Sequence, residues 1–101
     1  MRPPARRRNK RPQASHPAHL AAVAGLGCII CGRPAECHHV RQMSGMGLRP
    51  SDLDAIPLCP DHHRTGGYGT AVHAGRRAFA RNFGSESDLL NQTRQRLIGD
   101  G

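Results

Sequence analysis

Two pairs of metal-ligand residues, each with two residues between its members, constrain the fold of this 101-residue chain most strongly. The first pair is Cys28 and Cys31, and the second is Cys59 and His62. A pair with this spacing lies on a tight turn and can present both side chains to one ion. Together the pairs predict a closed, tetrahedral Zn²⁺ site. Because only 37% of the residues are hydrophobic, a structural metal is also expected to supply stability that a thin core cannot.

Four cysteines in a small chain could instead form two disulfides. Residues 1–13 are rich in arginine and proline and contain no apolar run that would act as a secretion signal. We therefore expect the thiols to stay reduced and available to a metal. Cys37 stands apart from both pairs and is expected to be a buried free thiol, although it could replace one of the four ligands. No stretch of the sequence reaches the length needed to span a membrane.

Positive charge is concentrated at the start of the chain. Fifteen lysine and arginine residues oppose seven acidic ones, and six of the fifteen lie in the first thirteen residues, where there is no acid. A block of like charge with three prolines predicts a disordered basic arm at residues 1–14, ahead of one folded domain at residues 15–101. The arm suits attraction to nucleic-acid phosphates, and a plain solvated tail is the alternative. Its candidate DNA-contacting residues are Arg6, Arg7, Arg8, Lys10 and Arg11.

The predicted elements begin with a short apolar helix. Ser15 is expected to be its N-cap and Pro17 to lie in its first turn, apolar residues follow between Leu20 and Leu26, and Gly25 or Gly27 ends it. The cysteine turn follows, and then a strand over residues 36–40 that carries two histidines. A loop rich in glycine and proline covers residues 42–50. A second strand at residues 55–58 contains a proline, which suggests a sheet edge because proline cannot donate to a ladder.

Helical patterns fill the last third of the chain. One covers residues 75–83 and is followed by Gly84, the residue type that commonly ends a helix. The last helix is expected to be capped by Ser85, with Asp88 at the third helical position. Its apolar stripe consists of Leu89, Leu90, Leu97 and Ile98.

Three histidines stand beside the four expected zinc ligands without being needed by them. His38 and His39 are adjacent on the first strand, and His63 directly follows His62. They predict a second, open metal site where chemistry can take place. Neighbours on an ideal strand face opposite sides, so His38 and His39 share a site only if the strand ends or twists there. Otherwise one of them is a core or supporting group, and His63 could also exchange roles with His62.

The run from Cys28 to Leu97 resembles the HNH endonucleases, and most closely the phage recombination-enhancement (Ref) nucleases. The likeness is carried by the histidine pair and by residues 51–63, 69–79 and 83–86, and it spans about two-thirds of the chain. It implies an α+β fold: a small zinc-stabilised ββα-metal (HNH, treble-clef-like) domain with flanking helices and the disordered basic N-terminal arm. It also implies a metal-dependent DNA endonuclease that hydrolyses phosphodiester bonds.

The resemblance gives each histidine a role. It implies that His39 is the general base, while His38 and His63 hold one divalent cation, Mg²⁺ or another such as Mn²⁺ or Zn²⁺. Asp54 replaces the usual asparagine and either orients the base or is a surface residue. The last histidine of the motif is absent, and His73 either returns to the cation or is a surface group. Candidate phosphate clamps are Arg41, Arg64, Arg76 and Arg77.

DNA is the expected partner, bound by a monomer. The resemblance adds recombination on DNA that carries a RecA filament, and a cytoplasmic protein of a bacterial host cell or one encoded by a phage. Two other classes stay open. A non-catalytic zinc-ribbon DNA-binding module would use the four zinc ligands but leave His38 and His39 without a purpose. A protein-interaction module of a phage or its host is the third class.

Overall fold

A computed structural model describes residues 15–41 and 50–100 of the chain. The basic arm predicted at residues 1–14, and most of the loop predicted at residues 42–50, lie outside the described residues. The described part is a small α+β arrangement with one two-stranded sheet, in agreement with the expected class. Its elements are α1 (Pro17–Gly25), β1 (Glu36–His39), β2 (Ala55–Leu58), α2 (Arg76–Phe83) and α3 (Glu86–Asp100), with two short turns at Asp61–Thr65 and Val72–Ala74.

The sheet pairs β1 and β2 in antiparallel fashion, with His38 opposite Ile56 and Pro57 opposite Cys37. The carbonyl of Pro57 accepts a hydrogen bond from the amide of Ile29 at 2.9 Å. The backbone of Pro57 therefore faces away from β1, where the missing N–H of proline removes no ladder bond. The predicted second strand and its edge proline are confirmed. β1 ends at His39, one residue earlier than predicted.

One hydrophobic cluster joins the sheet to the helices and turns. It contains Phe79 of α2 together with Ile56 and Leu58 of β2, and all three are fully buried. The same cluster includes the buried thiols of Cys28 and Cys59. Two of the expected metal ligands are therefore anchored in the core, so a metal held there would stabilise the same part of the fold as the hydrophobic cluster.

The helices depart from the sequence prediction in two places. α1 begins at Pro17 with His16 as its N-cap and no side-chain cap bond, so the prediction of Ser15 as N-cap is wrong. Proline at the first helical position lacks only an N–H that would have no partner in the helix, so the helix can start there without a capping side chain.

No helix in the described part of the chain is both long enough and apolar enough to cross a membrane.

The last helix is capped as predicted but packs differently. The amide of Asp88 donates to the hydroxyl of Ser85 at 3.1 Å, which confirms the cap. Leu89 is buried as expected, whereas Ile98 is 79% exposed. The buried face of the helix therefore does not extend to Ile98 as predicted. The buried position one turn after Leu89 is Thr93, whose hydroxyl donates to the Leu89 carbonyl at 2.8 Å. The hydrogen bond within the helix is what allows a polar side chain to be buried there.

Candidate metal centres

The first ligand pair lies on a turn that the backbone closes in two places. The amide of Cys28 donates to the carbonyl of Arg33 at 2.8 Å, and the amide of Gly32 donates to the carbonyl of Cys28 at 2.9 Å. Gly32 has a φ of 82°, a conformation that other residues rarely adopt, so the predicted glycine turn is present. Cys31, directly before it, is exposed, whereas Cys28 is buried.

Both ligand pairs meet at one point. Cys28, Cys31, Cys59 and His62, here named the cysteine cluster, offer ligand atoms that all lie within 4.8 Å of one another. The sulfurs of Cys31 and Cys59 are 3.7 Å apart, and Nδ1 of His62 is 3.3 Å from the Cys59 sulfur. Four ligands around a zinc with Zn–S bonds of about 2.3 Å stand about 3.8 Å apart along a tetrahedral edge. The cluster is therefore close enough to hold a metal such as zinc.

The cysteines are not paired with each other. All four are free thiols, and a sulfur separation of 3.7 Å is far from the 2.05 Å or so of a disulfide, so the disulfide alternative is wrong. Cys37 lies outside the cluster and donates to the carbonyl of Leu20 at 3.3 Å. Burial raises the pKa of the Cys37 thiol. It is a free thiol, as the sequence indicated, but it is half-buried rather than buried, and it does not replace a ligand.

The backbone around Cys28 favours its thiolate. Burial acts to raise the pKa of the Cys28 thiol, but backbone amides outweigh it, and the pKa lies below its usual value. The amide of Ile30, for example, points at the Cys28 sulfur at 3.4 Å. Because the thiolate is the form that binds a metal, these amides prepare the position for a cation.

A second group of ligand atoms lies beside the first. His38 on β1, His63 on the turn Asp61–Thr65 and His73 on the turn Val72–Ala74 form the histidine cluster, with one nitrogen from each within 4.8 Å of the others. The ring centroids lie 4.6 to 5.1 Å apart in all three pairs. The Nε2 atoms of His63 and His73 are 3.0 Å apart. The structure thus brings together the three residues that the sequence suggested, His73 included.

His62 and His63 take separate places. His62 lies with the three cysteines and His63 with the two other histidines, so the alternative in which they exchange roles is wrong. The turn Asp61–Thr65 is only five residues long, and its wide π-helical winding starts directly after Cys59-Pro60. Successive side chains on such a turn point in different directions, which lets neighbours serve two clusters.

A carboxylate stands behind two of the three histidine rings. Glu36 Oε1 lies 2.6 Å from Nδ1 of His63, and Glu86 Oε1 lies 2.8 Å from Nε2 of His38. A carboxylate on the outer ring nitrogen fixes the ring and its tautomer, and it makes the inner nitrogen a better ligand. Sequence reasoning gave neither glutamate a role. Glu36 could have been found, since strand alternation places it on the same face as His38, two residues away.

Each of these carboxylates is also held by an arginine. Arg64 donates twice to Glu36, and with His63 it lowers the pKa of that carboxyl to about 2. Arg76 donates to Glu86 at 2.9 Å, and Glu86 is only 4% exposed. Arg64 and Arg76, predicted as phosphate clamps, are thus engaged with carboxylates. Arg77 and Arg41 are exposed, while the predicted arm residues Arg6 to Arg11 lie outside the described part.

The expected base and its expected partner are separated. His39 Nε2 lies 2.8 Å from Asp52 Oδ1, whereas Asp54 accepts a hydrogen bond from Arg94 at 2.6 Å. The prediction that Asp54 orients His39 is therefore wrong, and Asp52 occupies that position. The His39 ring and the backbone amide of His16 lower the pKa of Asp52, so this carboxyl is ionised. Residues 52 and 54 both precede β2 by an odd number of residues, so strand alternation does not choose between them. The packing of this segment does, because Arg94 of α3 engages Asp54.

The two adjacent histidines face different partners. His38 joins the histidine cluster and Glu86, and His39 meets Asp52 at the end of β1. Burial, and then the neighbouring rings of His38 and His63, lower the pKa of His73. A lowered pKa keeps the imidazole neutral near pH 7, the state in which it can bind a cation. His73 therefore offers a neutral nitrogen ligand to the cluster.

Comparison with known proteins supplies a family. The family described as "Protein of unknown function (DUF968)" matches residues 2–101. A curated relative, "Uncharacterized protein YdfU" of Escherichia coli (strain K12), is 32% identical over 77 residues, which cover 73% of this chain. The chain spans only 20% of that relative's length. No solved structure matches the chain.

Proposed function

This chain is a member of the DUF968 family, and from its two clusters we propose that it is a metal-dependent DNA endonuclease of the HNH (ββα-metal) type. The observation that carries the proposal is the histidine cluster beside the cysteine cluster. A chain that needed metal only for folding would have no use for His38, His63 and His73. Three protein ligands leave coordination positions for water and substrate, as in catalytic metal sites.

The cysteine cluster has the structural role in this proposal. Its four residues would complete the coordination of a tetrahedral zinc and leave no position for substrate. Cys28 and Cys59 are part of the hydrophobic core, so zinc held there would fix the strands and the turn Asp61–Thr65 in place. That turn carries His63, and it transmits the rigidity of the zinc site to the histidine cluster.

The histidine cluster has the catalytic role. A divalent cation bound there would supply positive charge to the scissile phosphate and to the leaving oxygen. Neutral imidazoles leave that charge undiminished. Glu36 and Glu86 hold the rings of His63 and His38 by their outer nitrogens, so the inner nitrogens keep their direction.

His39 is the proposed general base. It sits at the last position of β1, one residue beyond His38, and its ring is a third exposed. Asp52 is positioned to accept from Nε2–H of His39, which leaves Nδ1 as the nitrogen that takes a proton from water. The pair therefore resembles the base and orienting carboxylate of other hydrolytic sites, with Asp52 in the place first given to Asp54.

The substrate is proposed to be DNA. The sequence has a net charge of +8, and six of its basic residues lie in the first thirteen positions, which suits attraction to phosphates. A RecA filament on that DNA and a setting in recombination rest on the resemblance to the Ref nucleases alone. The RecA filament and the recombination setting are therefore part of the proposal only through that resemblance.

The test is cleavage of supercoiled plasmid with Mg²⁺ or Mn²⁺ and with EDTA. Cleavage should require the added cation, and His39→Ala should lower the rate by about 10²- to 10⁴-fold, because a positioned base contributes that much to a proton transfer. His39→Ala should still bind Co²⁺ at the histidine cluster, whereas His63→Ala should lose both cleavage and that Co²⁺.

His19→Ala is the matched control, since His19 lies on α1 and belongs to neither cluster. It should cleave like the parent chain. If the parent chain binds DNA but never cuts it with any divalent cation, the nuclease proposal fails and the zinc-ribbon binding module replaces it. Cleavage by His39→Ala within tenfold of the parent rate would remove the base assignment.

A further inference from the structure

One aromatic side chain in the described part of the chain is mostly exposed to solvent. Tyr68 is 74% exposed, whereas Phe79 is fully buried and Phe83 partly buried. Tyr68 lies in the short segment between the turn that carries His63 and the turn that carries His73. An exposed aromatic is therefore tied by the chain to two members of the histidine cluster.

The Tyr68 ring rests on the backbone of Gly75. A methyl group added at Gly75 would lie 2.7 Å from Cε1 and 2.8 Å from Cδ1 of the ring, closer than side chains approach one another. Gly75 directly precedes Arg76 and lies two residues after His73. The ring therefore lies against a residue two positions from His73, while most of the surface of Tyr68 stays open. A ring fixed in this way loses little conformational freedom when a ligand stacks on it.

Positive charge directly follows, in the sequence, the glycine that this ring contacts. Arg76 and Arg77 follow Gly75 in α2 and line an open cavity of about 400 Å³ together with Ala80, Ser85 and Glu86. Glu86 accepts from Arg76, and the Arg77 side chain is exposed. Arg77 is thus placed to meet the backbone phosphates of a strand that passes the ring. An aromatic face beside a cation is the combination that binds unpaired nucleotides.

We propose that Tyr68 is a stacking site for an unpaired nucleobase, so that the strand at the histidine cluster is single-stranded DNA. Bases in a duplex already stack on each other and offer no free face, whereas an unpaired base can cover the exposed ring. Stacking does not read sequence, since every base has an aromatic face. This stacking site rests on the proposed nuclease function, and it adds the class of DNA on which the histidine cluster would act.

The first experiment uses the composition of the chain. It has one tyrosine and no tryptophan, so its intrinsic fluorescence reports on Tyr68 alone. Titration of the full chain with a short oligothymidylate should quench this emission to a plateau. The same bases paired in a duplex should quench it far less. N-acetyltyrosinamide with the same DNA corrects for absorption of light by the bases.

The second experiment measures binding to fluorescein-labelled DNA by anisotropy, without divalent cation so that no strand is cut. Tyr68→Ala should weaken binding of the single strand by about 5- to 100-fold, the range for loss of one stacked base, and should change duplex binding by less than about twofold. Tyr68→Phe should bind like the parent chain, because the ring and not the hydroxyl carries the contact.

Gly75→Ala provides an independent variant. Gly75 has a φ of 171°, an extended conformation that alanine also adopts, so the change displaces the ring without straining the backbone. It should reproduce the loss of single-strand binding with the melting temperature retained. Equal losses for single strand and duplex in Tyr68→Ala, or no loss at all, would overturn the stacking site. Both results are read from binding, so they stand apart from a failure of the chain to cut DNA.

Discussion

The cysteine cluster and the histidine cluster lie side by side, yet their surroundings differ in kind. The cysteine cluster has four ligands, is anchored by Cys28 and Cys59 in the core, and is held by backbone amides. The histidine cluster has three ligands, and buried or half-buried side chains from separate elements hold its rings. His73, one of those ligands, is exposed.

Under the proposed function, this difference separates stability from chemistry within one small chain. A site built on backbone turns and closed by four ligands can only stabilise a fold. A site assembled from side chains, with an outer carboxylate behind each of two rings, can bind a cation that still has room for water and substrate. Removal of a ligand from the cysteine cluster should therefore unfold the chain. Removal of a ligand from the histidine cluster should weaken cation binding and leave the fold intact.

The largest effect is expected from Cys59→Ser. Structural zinc contributes about 10–16 kcal/mol of apparent binding energy in small zinc domains, and the net stability of a domain is about 5–15 kcal/mol. Loss of one thiolate should therefore leave the domain unfolded at room temperature and free of zinc. Circular dichroism on heating and the zinc content per chain measure both results.

The matched control for this change is Cys37→Ser, in a thiol outside the cluster. It should keep its zinc and melt within a few degrees of the parent chain, because a serine hydroxyl can also donate to the Leu20 carbonyl. A Cys59→Ser chain with an unchanged melting transition would show that the cysteine cluster holds no structural metal, and the contrast between the clusters would disappear.

A smaller effect is expected from Glu86→Gln. Glutamine fills the same space but removes the charge behind His38, so affinity of the histidine cluster for Co²⁺ should fall by about 10- to 100-fold, with the fold retained. A Co²⁺ titration followed by visible absorbance measures the change, on chain whose cysteine cluster already holds zinc.

Asp88→Asn serves as the control, since Asp88 is an exposed carboxylate in the same first turn of α3. Its Co²⁺ affinity should equal that of the parent chain. If Glu86→Gln bound Co²⁺ as tightly as Asp88→Asn did, Glu86 would only support packing, and the histidine cluster would not depend on its carboxylates.

The smallest effect is expected from pH. A histidine binds a cation only in its neutral form, so Co²⁺ affinity at the histidine cluster should weaken as the pH falls below about 6.5. The lowered pKa of His73 keeps that ligand neutral to a more acidic pH, so the decline should be shallower than three freely titrating histidines would give. Titrations at several pH values check the slope, and an affinity independent of pH would contradict a site made of histidines.

The ligands of the cysteine cluster could be predicted from the sequence because their geometry is local. Two residues between Cys28 and Cys31, and between Cys59 and His62, fix each pair on one turn, whatever the rest of the chain does. β2 and the Ser85 cap could also be predicted from the sequence, because both depend on residues that are neighbours in the chain. The sequence also indicated His38 and His63 as ligands of a second site, because the four expected zinc ligands do not need them.

Tertiary structure decided what surrounds those ligands. Glu86 contacts His38, forty-eight residues earlier in the chain. Asp52 rather than Asp54 contacts His39, although residues 42–49, which lie between them, are outside the described part. Ile98 was expected in the core and lies in solvent, because α3 continues past the small cluster it packs on. Spacing along a sequence determines contacts within a turn or a strand. Contacts between distant segments depend on how those segments pack, and the choice between Asp52 and Asp54, two residues apart, is settled only there.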